Sequence, residues 1–468
     1  MQNSLPWATI GLVPPAHTDG VARLLASYRA VPDTATVRLA KNSSNLFRAR
    51  AASTAPGLDV SGLTGVLSID VAGRTADVAG MCTYEDLVAA TLPFGLAPMV
   101  VPQLKTITLG GAVAGLGIES TSFRNGLPHE SVLEMDVLTG AGEIVTATPD
   151  NEHADLFTGF ANSYGTLGYA TRLRIELERV KPFVALRHLR FHDFDELTAA
   201  IARISECHEH EGLAVDYLDG VVFTATESYL TLGTQTDEPG PVSDYTGQQV
   251  FYRSIQERRT DRLTTLDYLW RWDTDWFWCS RAFGAQHPTV RRFWPKRLRR
   301  SSVYSTLIGL DAKYRVADRL EARKGRPARE RVVQDVEVPV ENTAAFLRWF
   351  LDEVPIEPLW LCPLKLRDTP EHPARTWDLY PMDTDRTYVN VGFWSTVPVT
   401  PGVDGATNRL IEQQVTQFGG HKSLYSDSFY SEDEFSELYG GGLYESLKRR
   451  YDPSTRLLDL YAKAVRRR

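Results

Sequence analysis

The chain has 468 residues, 43% hydrophobic and 24% charged, with a net charge of −8. That length exceeds what one hydrophobic core usually organises and points to two domains, or to one domain interrupted by another. The acidic balance argues against nucleic acid as the main partner, and the four cysteines (Cys82, Cys207, Cys279 and Cys362) lack the spacing of a metal site, so buried thiols in a reducing cytoplasm are expected, with no metal.

The opening residues MQNSLPWATIGLVPPAHTDG carry no basic stretch leading into an apolar run. No later stretch reaches about 18 consecutive apolar residues, so neither export nor a membrane span is expected. Residues 17–30 place apolar side chains at helical spacing, and TVRLA at 36–40 alternates like a strand. Residues 65–80 read as two strands around a turn at Ala72-Gly73, and 83–95 as a helix capped by Thr83 and closed by Gly95. Residues 102–132 are dense in Gly, Ser and Thr with little periodicity, and a long irregular stretch in a compact domain usually has a function. Strands resume at 133–148, and a helix and strand pair closes the block at 154–177. Past Lys181-Pro182 the texture changes to a second α+β unit: a helix at 194–210, strands in VDYLDGVVFTA, SYLTLGTQT and DRTYVNVGFWSTV, loops at 234–248 and 368–376, and helices from Glu432 to a basic tail at Arg466 to Arg468.

Between Thr108 and Gly126 stand Gly110, Gly111, Gly115, Gly117 and Gly126, interleaved with Ser120, Thr121 and Ser122. Glycines let backbone N–H groups approach a diphosphate closely, and small hydroxyls add uncharged donors. A phosphate-bearing cofactor fits, and a purely structural glycine-rich loop is the competing reading. The pattern is neither strand–GxGxxG–helix nor GxxxxGK[ST].

The run PQLKTITLGGAVAGLGIESTSFRNGLPHESV, followed by LEMDVLTGAGEIVTAT, DNEHADLF and SYGTLGYATRLRIEL, resembles the FAD domain of the vanillyl-alcohol-oxidase (PCMH-type) flavoproteins over about residues 10–180. GIESTS and DNEHADLF are most similar to the Δ24-sterol reductase branch. A neighbouring bacterial branch, whose members saturate a methylene-branched fatty acyl chain to the 10-methyl (tuberculostearic) form, resembles this chain through WRWDTDWFWCSRAFG and YPMDTDRTYVNVGFWSTVP as well. The resemblance implies an α+β, two-domain PCMH-type fold: an FAD-binding domain at 1–180, an inserted α+β substrate (cap) domain at 181–430, and a C-terminal segment at 431–468 returning to the FAD domain.

It also implies cofactor residues. Lys41, Asn42, Ser43, Ser44, Asn45 and Leu46 would form a first phosphate-contacting loop, with side-chain donors where many members use glycines. Pro102, Thr108, Leu109, Gly110, Gly111, Gly115, Gly117, Ser120, Thr121, Ser122 and Gly126 would form the second, and Gly165, Thr166 and Gly168 would lie near adenine or ribose. No histidine stands in Gly110 to Gly126, where several relatives place one beside the flavin, so FAD is expected to be non-covalent.

Flavin would supply the hydride, so the protein must supply a pocket, orientation and a proton. An isolated C=C has no carbonyl to take up negative charge, so protonation must lead or accompany hydride transfer, in a dry site holding one acid. His421 and Lys422, in GGHKSLYSD, resemble a His and a Lys beside the isoalloxazine. In LWLCPLKLRD, alternation puts Lys365 and Arg367 on the parity of Leu359 and Leu361. Tyr380 and Asn390 flank a turn, and Glu119 is a candidate acid if burial raises its pKa. For each of these the competing reading is a solvated or structurally paired side chain, and no proton donor is assigned.

Residues 268–300 hold Trp270, Trp272, Trp276, Trp278 and Trp294, followed by Arg291, Arg292, Lys296, Arg297, Arg299 and Arg300 with no carboxylate between those cations. Indoles beside cations suit an anionic bilayer surface, while a core aromatic cluster followed by a solvated face is the alternative. The expectation is an FAD-dependent reductase of an isolated C=C in a lipid, in the cytoplasm or peripheral on the inner face of the cell membrane. NADPH would be its reductant and a SAM-dependent methyltransferase its functional partner. A sterol side-chain reductase, a flavin oxidase of a polyol or sugar lactone, and a membrane-surface binding protein with a structural flavin are the rivals.

Overall fold

The computed structural model describes residues 15–41, 47–48, 57–247, 249–275, 278, 281, 284–314, 319, 325, 327–370 and 372–466. Asn42, Ser43, Ser44, Asn45 and Leu46 of the expected first loop, together with Trp276 and Cys279, lie outside the described residues.

Two antiparallel sheets organise the chain. The first has six strands: β1 (Val66–Asp70), β2 (Thr75–Ala79), β3 (Leu96–Pro98), β4 (Val132–Thr139), β5 (Ile144–Ala147) and β6 (Gly168–Arg179). Their order is β1-β2-β6-β4-β5, with β3 pairing at the far end of β6. β6 is the spine. Its alternation buries Leu173, Ile175 and Leu177, and Arg172 on the opposite face reaches Asp77 on β2 and both Glu134 and Asp136 on β4. The helix Tyr84–Thr91 starts where the Thr83 hydroxyl accepts the Asp86 N–H at 3.1 Å and ends through a short 3-10 turn at Gly95, whose φ is +69°.

Residues 36–40, expected as a strand, form one bridge only, Leu39 with Leu58. The Ala40 N–H goes to Leu58 and the Val37 N–H to Arg456, so no continuous ladder forms.

The second sheet begins with β7 (Phe183–Phe191). After a small hairpin of β8 (Glu209–His210) and β9 (Leu213–Ala214) come β10 (Tyr217–Thr224), β11 (Glu227–Thr236), β12 (Thr260–Thr264), β13 (Arg329–Pro339), β14 (Leu359–Leu364), β15 (Tyr388–Pro398) and β16 (His421–Lys422). The order of its eight strands is β12-β7-β11-β10-β14-β15-β13-β16. Helices Phe194–Cys207, Val340–Glu353 and Ala406–Gln417 cover one face. In the first of these, Asp193 caps the N-terminus by accepting the N–H groups of Asp195 and Glu196. Phe194, Leu197, Ile201 and Ile204 then recur at helical spacing and share a core with Val332, Val336 and Leu361. On the other face lie Tyr217, Tyr229, Trp272 and Trp360.

The C-terminal helices Glu432–Leu438, Gly441–Tyr451 and Leu460–Ala464 bury Phe435, Tyr444, Leu447 and Leu460 in the core of the first sheet. Arg456 ties this end to the beginning of the chain through the carbonyls of Val31 and Ala35. Among the described residues no helix is long and apolar enough to cross a membrane.

The segment 268–300 departs from a uniform surface patch. Trp270, Trp272 and Trp278 are buried and Trp294 is half-buried. Arg291 and Arg299 are buried as well, their guanidiniums donating to carbonyls of Tyr245, Thr246, Gly247 and Gln249, while Arg300 pairs with Glu85. Arg292, Lys296 and Arg297 stay exposed.

Candidate functional site

A cavity of about 770 Å³ opens between the irregular loops of the first unit and the inner face of the second sheet. That volume lies within the roughly 300–1,000 Å³ usual for cofactor and ligand sites. One wall runs from Pro102 to Ile118. There Thr108 caps the short helix Leu109–Ala114, its hydroxyl accepting the Gly111 N–H at 3.3 Å. The Leu109 and Gly110 N–H groups go to the carbonyls of Cys82 (2.9 Å) and Gly80 (3.0 Å). These glycines therefore serve close packing more than direct donation: a Cβ on Gly110 would lie 2.7 Å from the Gly80 oxygen, and one on Gly117 2.7 Å from the Pro102 ring.

A second wall comes from Gly165, Gly168, Tyr164 and Tyr169, together with Arg38, Lys41 and Arg48 of the N-terminal segment and Lys463 from the C-terminal helix. The Arg48 guanidinium lies 4.8 Å from the centre of the Tyr164 ring. Lys463 Nζ donates to the Tyr164 carbonyl at 2.5 Å. The second sheet contributes Asp335 and Trp360, and the turn after β16 contributes Ser423 and Tyr425. Backbone-thin glycine stretches, cations on one side and flat rings on the other suit FAD, which needs neutralised phosphates and apolar cover for its ring systems.

Of the sequence-predicted cofactor residues, Lys41, Pro102, Thr108, Gly110, Gly111, Gly115, Gly117, Gly165 and Gly168 line this cavity. The other described ones stand behind it. Leu109 packs in the first core, and the Thr166 hydroxyl donates to the Ser163 carbonyl. Ser120, Thr121 and Ser122 spend their hydroxyls on Glu119 and Tyr268, on the Met99 carbonyl, and on the Glu119 N–H respectively. Gly126, at φ +69°, makes the turn that lets the Glu130 carboxylate accept the Leu127 N–H.

The predicted catalytic residues separate in the same way. Lys422 is fully buried on the side of its strand away from the cavity, where Nζ bonds Glu412 at 2.7 Å and the Asp427 carbonyl at 2.5 Å. It is a structural cation, not a flavin contact. His421 lies one layer behind the lining residue Ser423, edge-on to Tyr380 (4.9 Å) and Tyr388 (5.6 Å). Burial holds its imidazole neutral, with the pKa down to about 3. Tyr380 shares this aromatic layer and does not reach the cavity.

β14 ends at Leu364, so the strand alternation expected for Lys365 and Arg367 does not extend to them. Lys365 bonds Ser122 through its backbone, and Arg367 is held by Glu176. Glu119 sits in a closed cluster: its Oε2 accepts the Ser120 N–H and hydroxyl (each 2.8 Å) and Arg271 Nη2 (3.2 Å), and Arg271 also bonds Asp219 at 2.8 Å. Burial raises the Glu119 pKa, but the side chain is walled off from the cavity.

Asn390 alone of this set bears on the lining. Its Nδ2 donates to Asp335 Oδ1 at 3.0 Å. Asp335 was not singled out from the sequence. It lies on β13, where VVQDVEVP alternates valines toward the helices with two carboxyls, Asp335 and Glu337, toward the cavity side. Two acids alternating with the valines of VVQDVEVP were the signal available. Burial pushes Asp335 up to about 6 and Glu337 well above the usual carboxylate range. Glu337 accepts the Ser423 hydroxyl at 2.6 Å.

Residues 10–148 match the family model described as FAD binding domain. Over 422 residues, covering 86% of this chain and 77% of the relative, the sequence is 25% identical to Delta(24)-sterol reductase of Homo sapiens. Over 447 residues, 88% and 77%, it is 26% identical to Delta(24)-sterol reductase of Arabidopsis thaliana. A shorter match of 161 residues, 34% and 30%, is 35% identical to Cytokinin dehydrogenase 5 of Oryza sativa subsp. japonica.

Proposed function

We propose that this FAD-dependent oxidoreductase saturates an isolated carbon–carbon double bond in a lipid, with NADPH as reductant and a 10-methylene fatty acyl chain of a phospholipid as substrate. The observation that carries the reading is the reach of the likeness to Delta(24)-sterol reductases. At 86–88% of the chain it extends beyond the FAD-binding part into the second unit, whose sheet and the turn after β16 bring Asp335, Trp360, Ser423 and Tyr425 to the cavity. FAD, when bound, supplies two-electron hydride chemistry. Arg38, Lys41 and Lys463 would hold its negative charge, and Tyr164, Tyr169 and Trp360 would cover its rings. Leu104, Ile107, Leu116 and Ile118 line the same cavity and exclude water from an apolar substrate.

The surface nearby supports a lipid. Phe293 is 78% exposed, with Val290 and Leu298 exposed beside it and Arg292 and Arg297 among them. Trp294 packs under this patch against Tyr304, and the two join Leu104 of the cavity wall. An apolar ridge with cations suits the headgroup layer of an anionic membrane. A methyltransferase that installs the methylene branch would supply the substrate.

A sterol side chain is the second reading, favoured by the substrate named in the relatives at 25–26% identity. The test is an anaerobic visible spectrum of the FAD-loaded protein. NADPH should bleach the flavin band, and phospholipid bearing a methylene-branched chain should restore it while the lipid gains two hydrogens. Restoration only by a Δ24 sterol would select the second reading, and restoration only by oxygen, with turnover of a polar alcohol, would select an oxidase.

A further inference from the structure

We propose that Asp335 is the acid that protonates the substrate double bond, an assignment that rests on the reductase reading above. Among the described residues lining the cavity, Asp335 is the single carboxyl; the other titratable groups there are cations or the phenols of Tyr164, Tyr169 and Tyr425. Burial raises the Tyr164 and Tyr425 phenols further above their ordinary range, which makes them poorer acids still.

The backbone presents Asp335 with little freedom. On β13 it stands opposite Gly392 of β15, a position with no side chain, while Glu337 stands opposite Asn390. Asn390 reaches diagonally to hold Asp335 Oδ1 at 3.0 Å, and the Tyr425 hydroxyl lies against the same carboxyl. Both neighbours are neutral donors. They leave the carboxyl free to carry its proton and can stabilise the carboxylate once the proton has gone. The side chain lies deep in the protein yet keeps part of its surface on the cavity.

The groups facing Asp335 are few. Glu337, two residues along the strand, faces it with His421 of β16 opposite, Tyr425 comes from the turn after β16, Cys362 from β14, and Tyr164 from the first unit with Arg48 over its ring. Burial raises the Glu337 pKa well above the usual carboxylate range and lowers that of His421, so both are pushed toward their neutral forms beside the acid.

In the step, the Asp335 O–H bond breaks and a C–H bond forms at the less substituted alkene carbon. The other carbon, left electron-poor, would take up the hydride that FAD supplies when bound and reduced, its electrons coming from the nicotinamide of the reading above. Asp335 then regains a proton from water. Asn390 acts as a positioning residue.

The test uses the FAD-loaded full chain. Asp335→Asn should lower lipid turnover by roughly 10²–10⁴-fold, the range of a positioned general acid. It should also abolish a pH-dependent shift of the bound-flavin absorption that the unsubstituted protein shows near the Asp335 titration. In the unsubstituted protein, turnover should fall as pH rises through that titration, because the protonated form is the active one. An Asn variant within about threefold of the parent rate overturns the assignment, and so does an alkaline limb that stays flat. Should the Asn variant lose FAD, the pH profile of the unsubstituted protein decides. A parent protein that reduces no lipid double bond overturns the reductase reading itself, and the assignment with it.

Discussion

The Glu119–Arg271–Asp219 cluster and the Asp335–Glu337 pair are both groups of buried carboxyls near the cavity, and their surroundings differ in kind. In the first, a guanidinium buried to 1% exposure bridges two carboxyls, and Trp272 and Trp360 donate indole N–H groups to Asp219. In the second, the partners are Asn390, Ser423, Tyr425 and a neutral His421, and among the described residues no lysine or arginine pairs with either acid. A carboxyl bridged to a buried cation has its oxygens taken up by that ion pair and serves as a staple. One with only neutral donors that keeps part of its surface on the cavity can give its proton away. Lys422 with Glu412 belongs to the stapling kind, which is why a lysine beside the cavity in sequence is not one in space.

The contrast can be broken from the stapling side first. Arg271→Met strands two buried carboxyls, and a loss of about 5 kcal/mol in the chemical unfolding of the FAD-loaded protein is expected. A change under about 1 kcal/mol would mean the cluster is not the fixed brace described. Lys422→Met should cost about 3 kcal/mol, and adding Glu412→Leu should recover most of it, since an apolar pair removes the stranded charge. Lipid turnover per FAD-loaded molecule should stay within about twofold of the parent in the double variant, and a specific rate collapse would return Lys422 to the chemistry. Gly110→Ala forces a Cβ against the Gly80 carbonyl, a backbone atom that cannot rotate away, so a loss of about 1–3 kcal/mol and weaker FAD retention are expected on thermal unfolding and gel filtration. Smallest in stability is Phe293→Asp, on a side chain already in solvent. Unfolding should change by under about 0.5 kcal/mol, while cosedimentation with anionic vesicles should drop, and unchanged vesicle binding would remove the patch from the lipid reading.

Much of the first unit was legible because its signals are local. The two strands around residues 70–75, the helix capped by Thr83 and closed by Gly95, and the glycine-rich wall all rest on periodicity, caps and positive-φ turns that a few neighbouring residues decide. The strand expected at 36–40 was not formed, since alternation states only that a segment can pair, and its N–H groups are divided between Leu58 and Arg456. The tryptophans of 268–300 read equally well as membrane anchors or as core. Packing against the inner face of the second sheet buried Trp272 and Trp278, the core of the first sheet took in Trp270, and Phe293 was left outside.

The sequence by itself pointed to a cofactor stretch from Thr108 to Gly126, since the small size of glycine is a property of the residue wherever it lands, and tertiary structure decided that Thr108, Gly110, Gly111, Gly115 and Gly117 of it line the cavity. Which carboxyl faces the cavity was decided only by tertiary structure. Free Asp and Glu side chains differ little in acidity, and Asp335 and Glu119 diverge because β13 aligns one with Asn390 at the cavity wall while Arg271, 152 residues further along the chain from Glu119, arrives to pair with the other. The availability of a proton depends on the charge of the neighbours, and those neighbours are assembled by the fold.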